Sequence, residues 1–432
     1  MIPLYKYPER AAWPAILERP EAPSGLQDAV AAIMKQVEQQ GDAALRQLNR
    51  EIDQFDDPAI EVSRETLDAT ASGLSDALKN AIRLASANIK AFHQAQRPTE
   101  INLETSSGVI CSQRFLPLDT VGIYIPGGTA PLLSTVLMLA VPAQVAGCRQ
   151  VIACTPPRPD AALLYTLSLF NARVFQVGGA QAIAAMAYGT QTIPRVDKIF
   201  GPGNAWVTAA KTMVAAQGVP IDLPAGPSEV LVIADDTARP AFVAADMLSQ
   251  AEHGADSQVI LVTTSSSMAD AVLRELEAQL KSLPRKQMAA SSLASGALIV
   301  IKSLQDAMDI SNLYAPEHLI LAVENPSALA EKVSNAGSVF LGHYTPESAG
   351  DYASGTNHTL PTGGFARNWS GVGLQSFMKS ITFQEISPRG LLQIGPAIEV
   401  MARAEQLEAH ARAVSLRLNA ISSIKEKSNE ND

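Results

Sequence analysis

From about Gly25 to Gln96 apolar residues recur at helical spacing, as at Val30, Ile33, Met34 and Val37, then Leu67, Leu74, Leu78, Ile82 and Ile89. This spacing predicts a helical N-terminal region. From Val109 the pattern changes to short β-branched runs, each followed by a glycine-bearing turn and a helix-like segment, which is the βαβ signature of a mostly parallel sheet. Three junctions share the design: Val121 to Gly128 before Leu132–Val141, Val174 to Gly179 before Gln181–Ala187, and Lys198 to Gly203 before Asn204–Ala216. Further strands are predicted at Glu229–Ala234, Gln258–Thr263, Ala297–Ile301, Leu319–Val323 and Val339–Leu341. The expected fold is α/β, with two similar sheets over roughly Gly122–Leu223 and Ser228–Leu341, the second borrowing from the N-terminal helices. Pro396–Ile421 is amphipathic and helix-favouring, and Lys425–Asp432 is a charged tail expected to fray.

Each glycine-bearing junction can present free backbone N–H groups at a helix N-terminus to a phosphate or another anion. None spells G-x-G-x-x-G, so the dinucleotide fingerprint is absent as written. The balance of 33 basic against 43 acidic residues, net −10, and the lack of a basic run argue against a nucleic-acid partner. Cys111, Cys148 and Cys154 show no C-x-x-C spacing, so no disulfide frame or cysteine zinc site is expected and a reducing compartment fits. The first residues lack an apolar leader. The most apolar stretch, Thr135–Val145, is too short to span a bilayer and contains Pro142, so no membrane partner and a soluble, cytoplasmic protein are expected.

Six histidines draw attention to their surroundings. His253 closes a segment predicted as a helix from Pro240 to a terminating Gly254, and Gln250 and His253, three apart, share the face of its last turn. The carboxyl end of a helix favours a bound cation, although a polar last turn can equally cap its own carbonyls. Asp351 and His358 lie in Glu347–His358, whose glycines and small polar residues predict an irregular loop. Carboxylate, imidazole and carboxamide without sulfur would suit Zn²⁺ or Mn²⁺, or the segment is a solvated turn. Glu317 and His318 follow Pro316 and can share one cavity only if they lie in the turn before the strand. An adjacent acid and imidazole could divide proton transfer. Glu405 and His410, five apart on the C-terminal helix and roughly 140° around it, could flank one ligand but not aim at one atom. Ser228 reads as a turn residue, and His93 and His343 as structural. No G-x-S-x-G elbow, H-E-x-x-H pair or Walker loop is present.

Taken in order, these segments resemble the histidinol dehydrogenase family along almost the whole chain. The carrying stretches are Gly122–Gly128, Val177–Ala184, Phe200–Asn204, Pro224–Val230, Leu248–Gly254, Pro316–His318, Glu347–Tyr352 onward to Asn357-His358, and Glu405–His410. The resemblance implies two incomplete Rossmann-like domains with parallel sheets plus a small helical C-terminal tail. It implies boundaries at an N-terminal arm (1–15), a first α/β domain (16–118 with 230–372), a second, NAD-associated domain (119–229), and the tail (373–432). The implied activity is oxidation of L-histidinol to L-histidine with two NAD⁺ in succession, through a bound histidinaldehyde.

By the same resemblance Gln250, His253, Asp351 and His410 look like the zinc ligands, with Mn²⁺ possible and His410 donated to the other subunit of a homodimer. Glu317 and His318 look like the acid/base pair. Ser228, His358 and Glu405 look like substrate contacts alongside His318 and the zinc ligands, and Tyr124, Gln181 and Asn204 look like NAD contacts. A paralogous dehydrogenase of another small alcohol, such as a sulfonated diol, and a metallohydrolase are the competing possibilities. The presence of both Glu405 and His410 favours histidinol.

Overall fold

The run Glu229–Ala234 is buried at every position, and so is Gln258–Thr263, as continuous apolar strands of a parallel sheet covered on both faces require. The computed structural model describes residues 2–20, 25–127, 132–224 and 226–429, with the side chains of 71 and 424–429 excepted. Gly128, Ala225 and the last three residues of the expected charged tail lie outside the described residues; up to Asn429 that tail continues the last helix. The chain divides into two compact units, Met1–Gln96 with Leu118–Phe377 and Arg97–Pro117 with Met378–Asp432.

The first unit contains two all-parallel sheets. One has four strands in the spatial order Arg173–Gln176, Gln150–Thr155, Thr120–Tyr124, Lys198–Phe200. The other has six, in the order Leu4–Lys6, Ala297–Val300, Gln258–Thr263, Glu229–Ala234, His318–Ala322, Ser338–Leu341. In each, the first strand of the βαβ series is internal, the second and third lie to one side of it and the fourth to the other. That is the half-Rossmann order with a topological switch beside the first strand. The expected fold class is therefore the observed one: two incomplete Rossmann-like halves, and helices at the C-terminus.

The N-terminal helices go elsewhere than the hydrophobic pattern suggested. Val30, Met34, Val37, Leu45 and Leu48, on helices Gln27–Gln40 and Asp42–Asp53, pack into the four-stranded half with Ile152, Ile183 and Val207. Of the described N-terminal residues, those before residue 21 join the six-stranded sheet and its core, through the edge strand Leu4–Lys6 and through Trp13 and Leu17. An amphipathic face fixes that a helix is buried, not which sheet it is buried against.

The second unit holds a three-stranded antiparallel sheet, Met378–Ile386 with Val109–Pro117 with Ile101–Ser106, followed by helices Pro388–Ala404 and Glu408–Asn429. Residues 97–117, expected with the first α/β domain, belong here, and the tail carries a strand besides its helices. The single helix expected over Pro396–Ile421 is broken at Gln406, whose φ of 61° is left-handed, while the Leu407 N–H closes onto the Ala402 carbonyl. Glu405 therefore caps one helix and His410 opens the next, so their angular separation on one helix does not apply.

A buried ion pair fastens the start of the central strand. Arg19 donates two hydrogen bonds to the Glu229 carboxylate, at 2.5 and 2.9 Å, and stacks over the Tyr314 ring 3.9 Å from its centroid. The Gly363 N–H donates to the same carboxylate at 2.8 Å. Arg19→Ala leaves that buried charge without its counter-ion, and is expected to lower unfolding free energy by about 2–3 kcal/mol, allowing for the partly exposed guanidinium. Urea unfolding followed by tryptophan fluorescence measures it; a change below about 0.5 kcal/mol, the scatter of ordinary surface substitutions, would contradict the role given to the pair.

Candidate active site

Helix Leu304–Tyr314 ends in a left-handed Ala315 (φ 54°), and Pro316 then turns the chain into the strand His318–Ala322. This places Glu317 just before the strand and His318 as its first residue, both buried. Each is held by the backbone of Glu229 on the neighbouring strand. The Glu229 N–H donates to Glu317 Oε2 at 2.9 Å, and His318 Nδ1 lies 3.1 Å from the Glu229 carbonyl oxygen. A carbonyl only accepts, so Nδ1 carries the proton and Nε2 is left with its lone pair. Nε2 is buried and makes no hydrogen bond to any described residue. Burial, partly opposed by nearby Asp351, lowers the His318 pKa to about 4, so the ring is neutral near pH 7. Burial pushes the Glu317 carboxyl well above the usual carboxylate range, opposed by the Glu229 N–H.

Asp351 is the hub of the cluster. Its carboxylate lies 3.9 Å from His318 Nε2, 3.9 Å from His253 Nε2 and 3.7 Å from His358 Nδ1. Burial would raise its pKa, but His358, His318 and His253 outweigh that and hold it below the ordinary value. Asp351 sits in the last turn of a short helix, Glu347–Tyr352, where an irregular loop was expected. Gly350, read as a loop glycine, is there for packing: a Cβ would lie 2.7 Å from the Phe340 ring.

That helix adds a residue the sequence pattern did not single out. Glu347, one turn before Asp351, is 1 % exposed, and neither carboxylate oxygen makes a hydrogen bond to a described residue. Burial and then Asp351, Glu317 and Asp246 push its pKa well up. The i, i+4 spacing of Glu347 and Asp351 was the available signal, hidden once the segment was taken for a loop.

Helix Pro240–Ala251 packs against the short helix and brings in Gln250 and His253. It stops at Ala251, and Gly254 is not left-handed, so the expected glycine stop is absent and Glu252–His253 form a turn. Gln250 is 1 % exposed with both amide atoms unpartnered among the described residues, whereas His253 is partly open to solvent. Ligand atoms of His253, Glu347 and Asp351 all lie within 4.8 Å of one another. Orphaned amide and carboxylate atoms beside an imidazole fit a cation with nitrogen and oxygen ligands, such as zinc or manganese. Ser228 lies half-buried just before the central strand.

Glu317, His318 and Ser228 stand at the amino ends of the six-stranded sheet, whereas a dinucleotide half places its ligand at the carboxyl ends. In the four-stranded sheet the three residues expected to contact NAD lie at the carboxyl ends. Tyr124 ends its first strand, Gln181 lies in the first turn after its third, and Asn204 caps the helix after its fourth. The Tyr124 hydroxyl accepts from the Gly179 N–H at 3.0 Å, and Asn204 Oδ1 accepts from the N–H groups of Trp206 and Val207. Gly201, at φ 120°, runs so close to the Tyr124 carbonyl that a Cβ there would lie 2.1 Å from its oxygen. Tyr124 thus sits between two glycine turns at the switch point. Glu405 and His410 belong to the second unit and are exposed.

The first unit thus joins two half-Rossmann sheets, one with glycine turns at its carboxyl edge and the other with a buried imidazole–carboxylate cluster. The model of the histidinol dehydrogenase family matches residues 18–418, and the chain belongs to that family. It is 52 % identical to the histidinol dehydrogenase of Bacteroides thetaiotaomicron over 427 residues, covering 98 % of this chain and all of that one. With that of Vibrio cholerae it shares 52 % identity over 94 % of this chain and 96 % of the other. The crystal structure of histidinol dehydrogenase from Elizabethkingia anophelis superposes with a TM-score of 0.95 at 50 % identity, covering 98 % of this chain and 99 % of that one.

Proposed function

We propose that the protein oxidises L-histidinol to L-histidine by an NAD-dependent four-electron reaction through bound L-histidinaldehyde, in the last steps of histidine biosynthesis in the cytoplasm. The observation that carries this is the buried, unpartnered Nε2 of His318, aimed at the Asp351 carboxylate that also meets His253 and His358. No described helix is long and apolar enough to cross a membrane.

Gln250, His253 and Asp351 would hold zinc, or manganese, with the partner subunit's His410 as a further ligand. The metal, when bound, would fix the imidazole and amine of histidinol and so orient its alcohol. NAD, held along Tyr124, Gln181 and Asn204, would take up a hydride in each oxidation. His318 Nε2 takes the hydroxyl proton in the first oxidation. Glu317 takes a proton from the water that adds to the aldehyde, and the burial that raises its pKa makes its carboxylate a stronger base than an exposed one. Ser228, His358 and Glu405 contact the substrate's polar groups. A homodimer is supported by the second unit, whose sheet leaves Ile101 and Leu103 exposed on one face and Ile381 and Phe383 on the other, apolar surface that a second copy can cover.

Mixing two inactive variants tests reaction and shared site together. His318→Ala and His410→Ala dimers, dissociated and reassociated, are expected to regain histidinol-dependent NAD reduction, because one site of each heterodimer combines intact His318 with the partner's intact His410. With independent assortment about half the dimers are heterodimers with one good site of two, so about a quarter of wild-type activity should return. No recovery from confirmed heterodimers contradicts the shared site. No NAD reduction by the wild-type protein with histidinol, but reduction with a sulfonated diol, contradicts the substrate.

A further inference from the structure

His93 reads as a solitary structural histidine, yet in the fold it holds the segment that carries His358. It lies on helix Asp76–Ala95, fully buried, with Nδ1 2.8 Å from the Ile89 carbonyl oxygen. That carbonyl fixes the proton on Nδ1 and leaves Nε2 as an acceptor. Asn357 Nδ2 lies 3.4 Å from Nε2 and also donates to the Met138 carbonyl at 2.6 Å, while Asn357 Oδ1 accepts from the Thr359 N–H at 2.9 Å. Every hydrogen-bonding atom of the buried carboxamide is thereby engaged, and its two donor bonds reach different elements. Met138 belongs to helix Leu133–Ala146, which follows the first strand of the four-stranded sheet.

Helix Asp76–Ala95 grips the segment twice more, both times at Asn88. Asn88 Nδ2 donates to the Ala353 carbonyl at 2.8 Å. Gly355, at φ 116°, lies so close that a Cβ would come within 2.9 Å of the Asn88 carbonyl oxygen. Three consecutive holds thus fix residues 353–359, with His358 between Asn357 and Thr359 and its ring facing Asp351. Burial keeps His93 neutral by lowering its pKa, so the acceptor persists at working pH.

We infer that His93 and Asn357 are positioning residues for the substrate: a buried latch that sets the place of His358 and ties the substrate segment to the first helix of the dinucleotide-type sheet. Its substrate part rests on the histidinol reading above; the latch itself does not. Neither residue touches substrate. Their effect passes through the backbone of 353–359, so loosening the latch spreads His358 over several positions and weakens ground-state binding.

The test uses the full-length protein with His93→Phe, which keeps the shape of the ring but not its nitrogens, Asn357→Ala, and His93→Gln, whose carboxamide oxygen restores an acceptor. The KM for L-histidinol is expected to rise about tenfold in the first two, with kcat and the KM for NAD within about threefold, and His93→Gln is expected to stay near wild type. Hydrogen exchange of peptide 353–359 is expected to speed up about tenfold in the first two variants, with helix 76–95 unchanged. A purely structural role lowers thermal stability without changing the KM of the folded enzyme, and that result overturns the inference. Asn357→Ser carries the same comparison if His93→Phe does not fold. If the wild-type protein does not use histidinol, the functional reading fails while the exchange of 353–359 still decides the latch: unchanged exchange overturns it.

Discussion

His318→Ala is expected to lower histidinol oxidation by about 10²–10⁴-fold, the range lost when a positioned general base is removed. The ring is held by one hydrogen bond to the Glu229 carbonyl and is otherwise aimed at the cluster with a free lone pair, so its loss takes away a proton acceptor rather than a structural prop. Metal content and thermal stability should therefore stay close to those of the wild type. His318→Gln separates the two functions further, since its amide N–H can still reach the Glu229 carbonyl while nothing replaces the basic nitrogen. Steady-state NADH production, with metal content measured on the same samples, reads both. Activity within tenfold of the wild type in His318→Gln would show that the proton goes elsewhere.

Asp351→Ala carries the second large effect, and on a different quantity. One carboxylate faces three imidazoles at 3.7 to 3.9 Å, so removing it takes away the anionic oxygen donor at the centre of the cluster. The expected result is a loss of zinc affinity of at least about 100-fold, at or beyond the upper end of what outer-shell partners contribute, with oxidation falling in parallel. Competition with a chromogenic chelator measures the affinity directly, without recourse to activity. Asp351→Asn should behave nearly as badly, because a carboxamide keeps the shape but not the charge. Full retention of zinc by both variants would move the metal to another set of side chains, of which Glu347 with His253 is the nearest at hand.

Glu347 shows where the sequence stops being legible. The strands Glu229–Ala234 and Gln258–Thr263 could be read to the residue, because an uninterrupted apolar run has one cheap fate in a parallel sheet. Glycine is ambiguous in a way that Val and Ile are not. Gly350 permits an irregular loop and equally permits a helix pressed against Phe340, and only the three-dimensional neighbour decides between them. Choosing the loop hid the one-turn spacing of Glu347 and Asp351.

The strand Met378–Ile386 was hidden for another reason. Its partner Val109–Pro117 lies more than two hundred residues away, so no local pattern announces the pairing. His93 is the same case in a single residue: its meaning lies in Asn357, which the chain reaches only after both sheets are built. Residues such as Gln250, His253, Glu317 and His318 were legible as a group because polar side chains at the ends of apolar helices and strands stand out against their neighbours. The roles proposed for them rest on the order of eight segments along the chain, not on spacing within any one.

The central claim, a metal-dependent four-electron oxidation, is tested most directly by counting NADH formed per L-histidinol consumed by the purified protein, with and without a chelator. The account predicts two NADH per histidinol, activity lost on chelation and restored by Zn²⁺. No NADH from protein verified to hold its metal, or one NADH per histidinol with free aldehyde released, would contradict it.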